Sequence, residues 1–408
     1  MLDPARIMER CDALARHSEL PGGLTRVFLS PEARAATDKV LGWMREAGMQ
    51  AKLDAIGNAA GRYEGERPGL PCLMLGSHLD TVRDAGKYDG MLGVISAIEC
   101  VSFLDSKKKR LPFAIEVVGF GDEEGVRFGT TLLGSRAVAG IFDPRALEAK
   151  DGGGKTMSAA LRDFGLDPLE IPRVVRRKGQ VLAYAELHIE QGPVLESEGV
   201  PVGVVTAING FSRLRATMRG AAGHAGTVPM NLRRDALAAA AECVLGVEKI
   251  AKGHPELVGT VGRIEAKPGA INVIPGEVMF TIDIRAPRDD LRKQAVAAVR
   301  VEVEKAAKNR HLECEIEDLQ EFGVTTCAPW LMAQMDQAVE RQGFRVRRLP
   351  SGAGHDGMAL GAITDICMLF VRCKGGISHS PLESITQADA AAGAKVLLDF
   401  IEHFQLPA

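Results

Sequence analysis

The stretch GSHLDT, residues 76–81, follows the apolar run Leu70–Leu75, and the stretch GDEEG, residues 121–125, follows the apolar run Phe113–Phe120. Short apolar runs that end at turn residues are typical of buried strands. A helical segment between the two runs gives the βαβ alternation of a mostly parallel sheet. Open α/β sheets place their active sites where such strands end in loops. The sequence therefore predicts two loops at one edge of a parallel sheet, one with a histidine and an acid and the other with three acids.

These two loops carry side chains that can bind metal ions or move protons. His78 and Asp80 lie two residues apart, so an extended backbone points both to one side, where one can bind a metal and the other can orient it. Glu123 and Glu124 are adjacent, so their side chains diverge. That divergence suits one carboxylate on a metal and one that acts on water.

Three further residues complete the set of candidate ligands. Asp89 precedes a glycine after the first strand-like run, His188 lies at the end of another such run, and His379 follows the last one. Two histidines and a carboxylate form a catalytic zinc-type set, and five nitrogen and oxygen ligands can serve two ions if one carboxylate bridges them. Such ions polarise a carbonyl group and lower the pKa of a bound water, whose proton Glu123 can accept.

The pattern of the chain changes near residue 210. The segments that follow are strand 211–219, helix 233–251, strands 257–266 and 276–285, helix 289–309 and strand 311–322. This β-α-β-β-α-β order is typical of a ferredoxin-like antiparallel sheet with two helices on one face. We therefore predict an α/β fold with a mostly parallel catalytic domain, residues 1–210 and 328–408, and an inserted ferredoxin-like lid and dimerisation domain, residues 211–327.

Composition excludes several classes of protein. The charge of -3 and the lack of a basic block argue against nucleic acid as a partner, and no apolar run approaches the ~20 residues of a membrane span. The first residues show no signal-peptide pattern, and the eight cysteines are scattered without a CxxC motif. These features predict a cytoplasmic protein with reduced thiols.

Seven stretches together resemble the M20 metallopeptidase/amidohydrolase superfamily and, within it, the hydantoinase/carbamoylase branch. They are GSHLDTVRDAGKYDGMLGV, GDEEGVRFGTTLLGSRAVAG, ELHIEQGPVLE, GAAGHAGTVPM, GAINVIPGEVMFTIDIRAP, GAGHDGMAL and GISHSP. That branch includes N-carbamoyl-L-amino acid hydrolases, bacterial-type β-ureidopropionases and allantoate amidohydrolases. In many peptidase relatives an acid stands at the position of His188, so the histidine favours the amidohydrolase branch.

The resemblance implies a role for individual positions. Those that match metal ligands are His78, Asp89, Glu124, His188 and His379. Asp89 matches the bridging carboxylate, with His78 and His188 on one ion and Glu124 and His379 on the other. Glu123 matches the general base, and Asp80 matches the acid that orients His78. The positions that match substrate contacts are Gln191, His224, Asn272, Arg285 and Gly354.

The residue chemistry agrees with these substrate positions. Arg285 offers a bidentate fork for a carboxylate, Gln191 and Asn272 can pair with a ureido group, and His224 can stabilise an oxyanion. The implied enzyme is a homodimeric amidohydrolase with two divalent ions, Zn or Mn first and Co or Ni as alternatives. It would hydrolyse the C–N bond of a ureido group on a small carboxylate, such as allantoate or an N-carbamoyl-L-amino acid, to ammonia and carbon dioxide.

Two alternatives remain open at this point. One is a dipeptidase or aminoacylase on the same scaffold, which would release a free amino acid from a peptide without ammonia. The other is a non-enzymatic binding protein with a relic site. The intact pair of Asp80 and Glu123 argues against the second, since a relic site would lose its acid and base first.

Overall fold

The computed structural model describes residues 2–407 and divides them into two compact units. The larger unit consists of residues 2–206, 326–349 and 353–407, and the smaller unit of residues 207–325 with 350–352. The catalytic role of the first and the lid and dimerisation roles of the second stay predictions.

Strands and helices alternate along most of the described chain. The strands are β1 (Gln50–Leu53), β2 (Ala59–Tyr63), β3 (Cys72–His78), β4 (Ala114–Phe120), β5 (Val181–Ile189), β6 (Val202–Ile208), β7 (Gly210–Arg219), β8 (Gly223–His224), β9 (Val258–Lys267), β10 (Val273–Ile274), β11 (Glu277–Ala286), β12 (Glu313–Phe322), β13 (Thr325–Thr326), β14 (Arg348–Ser351) and β15 (Ile366–Val371). The α-helices are α1 (Pro4–Ala15), α2 (Pro31–Glu46), α3 (Met91–Ser106), α4 (Leu133–Val138), α5 (Met157–Asp163), α6 (Val194–Ser197), α7 (Ala236–Lys252), α8 (Asp289–Asn309), α9 (Pro329–Arg341), α10 (Gly357–Leu360) and α11 (Gln387–His403). Short 3-10 helices occupy Pro144–Glu148, Pro168–Val174, Met230–Leu232 and Lys374–Gly376.

The larger unit is built on a sheet with the strand order β1-β2-β4-β3-β5-β15-β6, with the short strands β13 and β14 beside β6. Its central strands β4, β3, β5 and β15 run parallel. Every residue of β3 and β4 is buried, as expected for parallel strands that are covered on both faces. Helix α3 packs on this sheet and is itself buried on nearly all sides. The parallel strands therefore end together at one edge of the sheet.

The smaller unit contains an antiparallel sheet of order β12-β7-β11-β9, against which α7 and α8 pack. Burial alternates along β11, so Val278, Phe280, Ile282 and Ile284 enter the core while the intervening residues stay partly exposed. Strands β8 and β10 form a separate two-stranded ribbon. The chain order β7-α7-β9-β11-α8-β12 is the predicted ferredoxin-like order, and the predicted fold class is confirmed.

One local prediction was wrong. The sequence predicts a first helix over residues 5–19, but this helix ends at Ala15. The hydroxyl of Ser18 accepts the N–H groups of Leu20 and Thr25 at 3.0 and 2.9 Å, and these bonds stabilise a turn instead of a further helical turn. Within residues 2–407 no helix combines the length and the apolar composition that a bilayer span requires.

Candidate metal centre

The carboxyl ends of neighbouring parallel strands supply the candidate ligands. They are His78 at the end of β3, Glu123 and Glu124 after β4, His188 near the end of β5, His379 after β15, and Asp89 just before α3. Because the four strands are adjacent and parallel, segments that are far apart in sequence meet at this edge.

Asp89 is the residue on which the candidate ligands converge. Its Oδ1 lies 3.1 Å from Nε2 of His188 and 3.6 Å from Nε2 of His78, and its Oδ2 lies 3.2 Å from Nε2 of His379. Nε2 of His379 also lies 3.4 Å from Oε1 of Glu124. The two oxygens of one carboxylate therefore face two different sets of donors, as a bridging ligand must.

The donor atoms form two groups that share Asp89. One group contains His78, Asp89 and His188, the other contains Asp89, Glu124 and His379, and within each the donor atoms lie within 4.8 Å of one another. Imidazole nitrogens and carboxylate oxygens are suitable ligands for Zn, Mn, Co and Ni. The structure thus brings together all five positions predicted as ligands, and their donor atoms fit divalent ions.

The two buried histidines turn Nε2 towards Asp89 because Nδ1 contacts a main-chain carbonyl. Nδ1 of His78 lies 2.9 Å from the carbonyl oxygen of Asp80, and Nδ1 of His188 lies 2.9 Å from that of Ile189. A carbonyl partner fixes the proton on Nδ1 and leaves Nε2 for a metal.

The carboxylate of Asp80 stabilises the loop of the two glutamates more directly than the ring of His78. It accepts the backbone N–H of Glu123 at 3.1 Å and that of Glu124 at 3.2 Å. Its Oδ1 is 3.8 Å from Nδ1 of His78, which makes its closer contact with the main chain of Asp80. Asp80 therefore orients the loop of Glu123 and Glu124 through its side chain, and it orients the ring of His78 through its backbone carbonyl.

Glu123 is the buried carboxylate beside these two groups. A donor atom of its side chain lies within 4.8 Å of donor atoms of His78 and Glu124. Burial raises the pKa of Glu123 well above its ordinary value, and the nearby carboxylates of Glu124, Asp356 and Asp80 act in the same direction. A carboxylate in this environment can accept and return a proton. Gly354 lies close by, since a Cβ built there would be 3.5 Å from Oε1 of Glu123.

Backbone conformation at the site is restricted. Gly90 has a φ of 67°, and a Cβ at this position would lie 2.6 Å from the ring of His78, so only glycine fits. Two non-glycine residues of the site, Gln191 and His379, also have positive φ, at 57° and 55°. Such strained conformations concentrate at functional sites, where surrounding contacts hold them.

Gln191, predicted to contact substrate, contacts candidate ligands in the structure. Its Nε2 donates to Oδ2 of Asp89 at 3.2 Å and to the hydroxyl of Ser378 at 3.2 Å. Its Oε1 is buried and has no hydrogen-bond partner among the described residues. One end of the amide is thus fixed on the metal centre, and the other end can accept a hydrogen bond from a ligand.

The smaller unit brings two of its three candidate substrate residues together. His224 pairs with Val273 across the β8–β10 ribbon, and the carbonyl of Asn272 accepts the N–H of Ala225 at 2.9 Å. Both His224 and Asn272 are exposed. Nδ1 of His224 accepts the N–H of Gly226 at 3.0 Å, so the proton of the neutral ring lies on Nε2, which can donate.

Arg285 lies apart from this pair, on β11 of the four-stranded sheet. Its Nε and Nη2 donate to the carboxylate of Asp283 at 2.8 and 3.0 Å, and its Nη1 donates to the carbonyl of Gly352 at 2.8 Å. An arginine has five N–H donors, so about two remain for a ligand carboxylate. Only part of the guanidinium group of Arg285, predicted to bind a carboxylate with two hydrogen bonds, is therefore available to a ligand.

Several residues that surround His188 have no role among the predictions made from the sequence. Glu186, His188 and His355 form a further group of donor atoms within 4.8 Å, and the rings of His355 and His188 lie 4.5 Å apart. Glu186 accepts the hydroxyls of Ser77 at 2.8 Å and Tyr184 at 2.9 Å. One signal in the sequence indicates that Glu186 belongs near the site. It lies two residues before His188 on the same strand, and this spacing places both side chains on one face of the sheet.

This chain is similar to known proteins over nearly its whole length. The model of peptidase family M20/M25/M40 matches residues 74–403. An N-carbamoyl-L-amino acid amidohydrolase of Geobacillus stearothermophilus is 43% identical over 398 residues, covering 97% of each chain. Allantoate deiminase 1 of Glycine max is 40% identical over 422 residues, covering 96% of this chain and 87% of the relative. A solved hydantoinase/carbamoylase family amidase from Burkholderia multivorans superposes with a TM-score of 0.92 at 35% identity, covering 98% of this chain and 97% of that chain.

Proposed function

The chain belongs to peptidase family M20/M25/M40 and, within it, to the hydantoinase/carbamoylase amidases, and on this premise we propose that it hydrolyses the C–N bond of a ureido group on a small carboxylate. Allantoate and N-carbamoyl-L-amino acids are the two substrates that the names of its relatives support. The products are ammonia, carbon dioxide and the remaining amine, or a carbamate that decays to them.

One observation carries this proposal: Asp89 faces two sets of donors, and Glu123 lies next to them without belonging to either set. We assign His78, Asp89 and His188 to one divalent ion, and Asp89, Glu124 and His379 to a second. Zn or Mn is the first choice, with Co or Ni as alternatives. Such ions, when bound, polarise the carbonyl of the ureido group and lower the pKa of a water.

The larger unit's own residues then handle protons and orient the substrate. Glu123 accepts a proton from the attacking water and delivers it to the leaving nitrogen, a role that its raised pKa supports. Oε1 of Gln191, which has no hydrogen-bond partner among the described residues, accepts an N–H of the ureido group. A ureido group offers more N–H donors than the peptide bond of a peptide substrate. Gly354 leaves room beside Glu123 for the reacting group.

The smaller unit supplies the groups that suit the rest of the substrate. Nε2–H of His224 is a donor for the oxyanion, and Asn272 beside it can pair with an amide. The two remaining N–H groups of Arg285 bind the carboxylate. That this unit closes as a lid stays a prediction.

We also propose a cytoplasmic homodimer joined through the smaller unit. The support for a dimer is that β9 and β12 are edge strands and that α7 and α8 expose Leu245 and Val301. All eight cysteines are free thiols, which a reducing compartment maintains. Sedimentation that shows a fully active monomer at micromolar concentration would contradict the dimer.

An ammonia-release assay tests the function. The protein is stripped with a chelator, reloaded separately with Zn, Mn, Co or Ni, and offered allantoate, several N-carbamoyl-amino acids and, in parallel, dipeptides and N-acyl-amino acids. We expect metal-dependent ammonia release from at least one ureido acid. Release of amino acids from dipeptides or N-acyl substrates, without ammonia from any ureido acid, would instead establish the dipeptidase or aminoacylase alternative.

A further inference from the structure

Glu383 is a buried carboxylate that none of the roles above uses. It lies four residues after His379, and only 4% of its surface is exposed. A carboxylate at this depth loses its hydration, and hydrogen bonds from the protein must replace it. The identity of its partners therefore indicates what the residue does.

The two oxygens of Glu383 bind two different loops. Oε1 accepts the backbone N–H of Tyr88 at 2.9 Å and that of Asp89 at 3.1 Å, while Oε2 accepts the hydroxyl of Ser378 at 3.1 Å. Ser378 directly precedes His379, and its hydroxyl also lies 3.4 Å from Oδ2 of Asp89. Glu383 is thus bonded to the main chain of one candidate ligand and to the neighbour of another.

Like Glu124, these two ligands lie outside the strands of the sheet. His78 and His188 belong to β3 and β5, whose hydrogen-bonded register fixes their separation. Asp89 and His379 lie in loops, and His379 has the strained φ of 55°. Their separation must be set by contacts between the loops, and Glu383 makes such contacts with ionic hydrogen bonds, which are the stronger kind.

The loop before Asp89 is shaped to receive this side chain. A Cβ built on Gly86 would lie 2.3 Å from both Cβ and Cδ of Glu383. Any larger residue at position 86 would therefore displace the carboxylate from its bonds.

We propose that Glu383 is a positioning residue that locks the loop of Asp89 to the loop of His379 and so sets the geometry of the second ion, which Asp89, Glu124 and His379 would hold. This role rests on the proposed function, because it concerns the same metal centre. Partners of metal ligands typically contribute about 10–100-fold to metal affinity.

The test measures the affinity of the stripped protein for Zn²⁺ and Mn²⁺ by competition with a chromophoric chelator, together with the melting temperature of the metal-free protein. We expect Glu383→Ala to weaken the binding of one ion by about 10–100-fold. In Glu383→Gln the amide oxygen still accepts both N–H groups, and the hydroxyl of Ser378 can turn to accept from the amide, so most of the affinity should remain. Should Glu383→Ala fail to fold, Gly86→Ala provides a second route to the same loss.

Asp389→Ala is the matched control. Asp389 is also a buried carboxylate of the C-terminal segment, and it bonds Thr386 and Arg372 instead of a candidate ligand. Both alanine variants should lower the melting temperature, but only Glu383→Ala should weaken metal binding. Equal metal affinity in wild type and Glu383→Ala, or an equal loss in Asp389→Ala, would overturn the positioning role. A wild-type protein that binds no divalent ion would overturn the proposed function itself, and the positioning role with it.

Discussion

The candidate metal ligands of the larger unit differ from the candidate substrate contacts of the smaller unit in two respects. These are their burial and the contacts that they make within the chain. Asp89 and His188 are almost fully buried, and every donor atom of the metal centre faces another donor atom. In the smaller unit, His224 and Asn272 are exposed, and Arg285 already binds Asp283. The first set is preorganised, whereas the second is free to adapt to a ligand. Changes in the first set should therefore alter metal content or turnover number, and changes in the second set should alter substrate affinity.

The largest effect is expected from Glu123→Gln. The amide cannot accept a proton, so kcat should fall by about 10²–10⁴-fold. The variant should still bind as much metal as the wild type, because Glu123 belongs to neither group that shares Asp89. Steady-state kinetics and metal analysis on the same sample check both parts. A fully metallated variant with a near-normal rate would refute the role, and a variant without metal would make Glu123 a ligand instead.

His379→Ala should remove one ion in preference to the other. His379 faces Oδ2 of Asp89 and Glu124, while the other oxygen of Asp89 keeps its two histidines. Metal analysis after dialysis should show the content per chain falling by about half, since one of the two ion sites loses a ligand. His254→Ala, which changes a histidine of the smaller unit, is the control and should leave the metal content unchanged. Full occupancy in His379→Ala would contradict the ligand assignment.

Arg285→Lys should raise KM far more than it lowers kcat. A lysine cannot reproduce the planar set of donors of a guanidinium, and a lost hydrogen bond to a charged group costs ~1.5–3 kcal/mol, or about 10–150-fold in KM. Metal content should not change. If KM stays the same for every active ureido acid, the carboxylate binds elsewhere.

The smallest effect is expected from Asp235→Ala, which tests whether the two sets are independent. Asp235 caps α7 of the smaller unit by accepting the N–H groups of Leu237 and Ala238. Loss of such a cap typically costs ~1 kcal/mol of stability. Denaturant unfolding should register that loss while metal affinity stays at the wild-type value. A parallel loss of metal affinity would show that the metal centre depends on the smaller unit.

The fold and the positions of the candidate ligands could be predicted from the sequence for a common reason. Each candidate ligand follows an apolar run or sits beside a glycine, and both signals are local. The short strands β1 and β2 were not predicted, because QAKL has none and AAGRY has only one of the β-branched and aromatic residues that mark a strand.

Contacts between loops that lie far apart in the sequence have no local signal of this kind. Glu383 contacts Tyr88 and Asp89, which lie 295 and 294 residues away in the sequence, and no spacing rule connects these positions. The pairing of Arg285 with Asp283 is a different case. The two residues are two apart on a strand, so their shared face could have been read from the sequence.

Metal titration of the wild type beside Asp89→Ala tests the bridging carboxylate most directly. Isothermal titration of the stripped proteins with Zn²⁺ or Mn²⁺, checked by elemental analysis, gives the number of ions per chain. If Asp89 joins both groups of ligands, the wild type binds two ions and Asp89→Ala binds neither tightly. A wild type that saturates at one ion, or an Asp89→Ala variant that still binds two, would contradict a centre built around this residue.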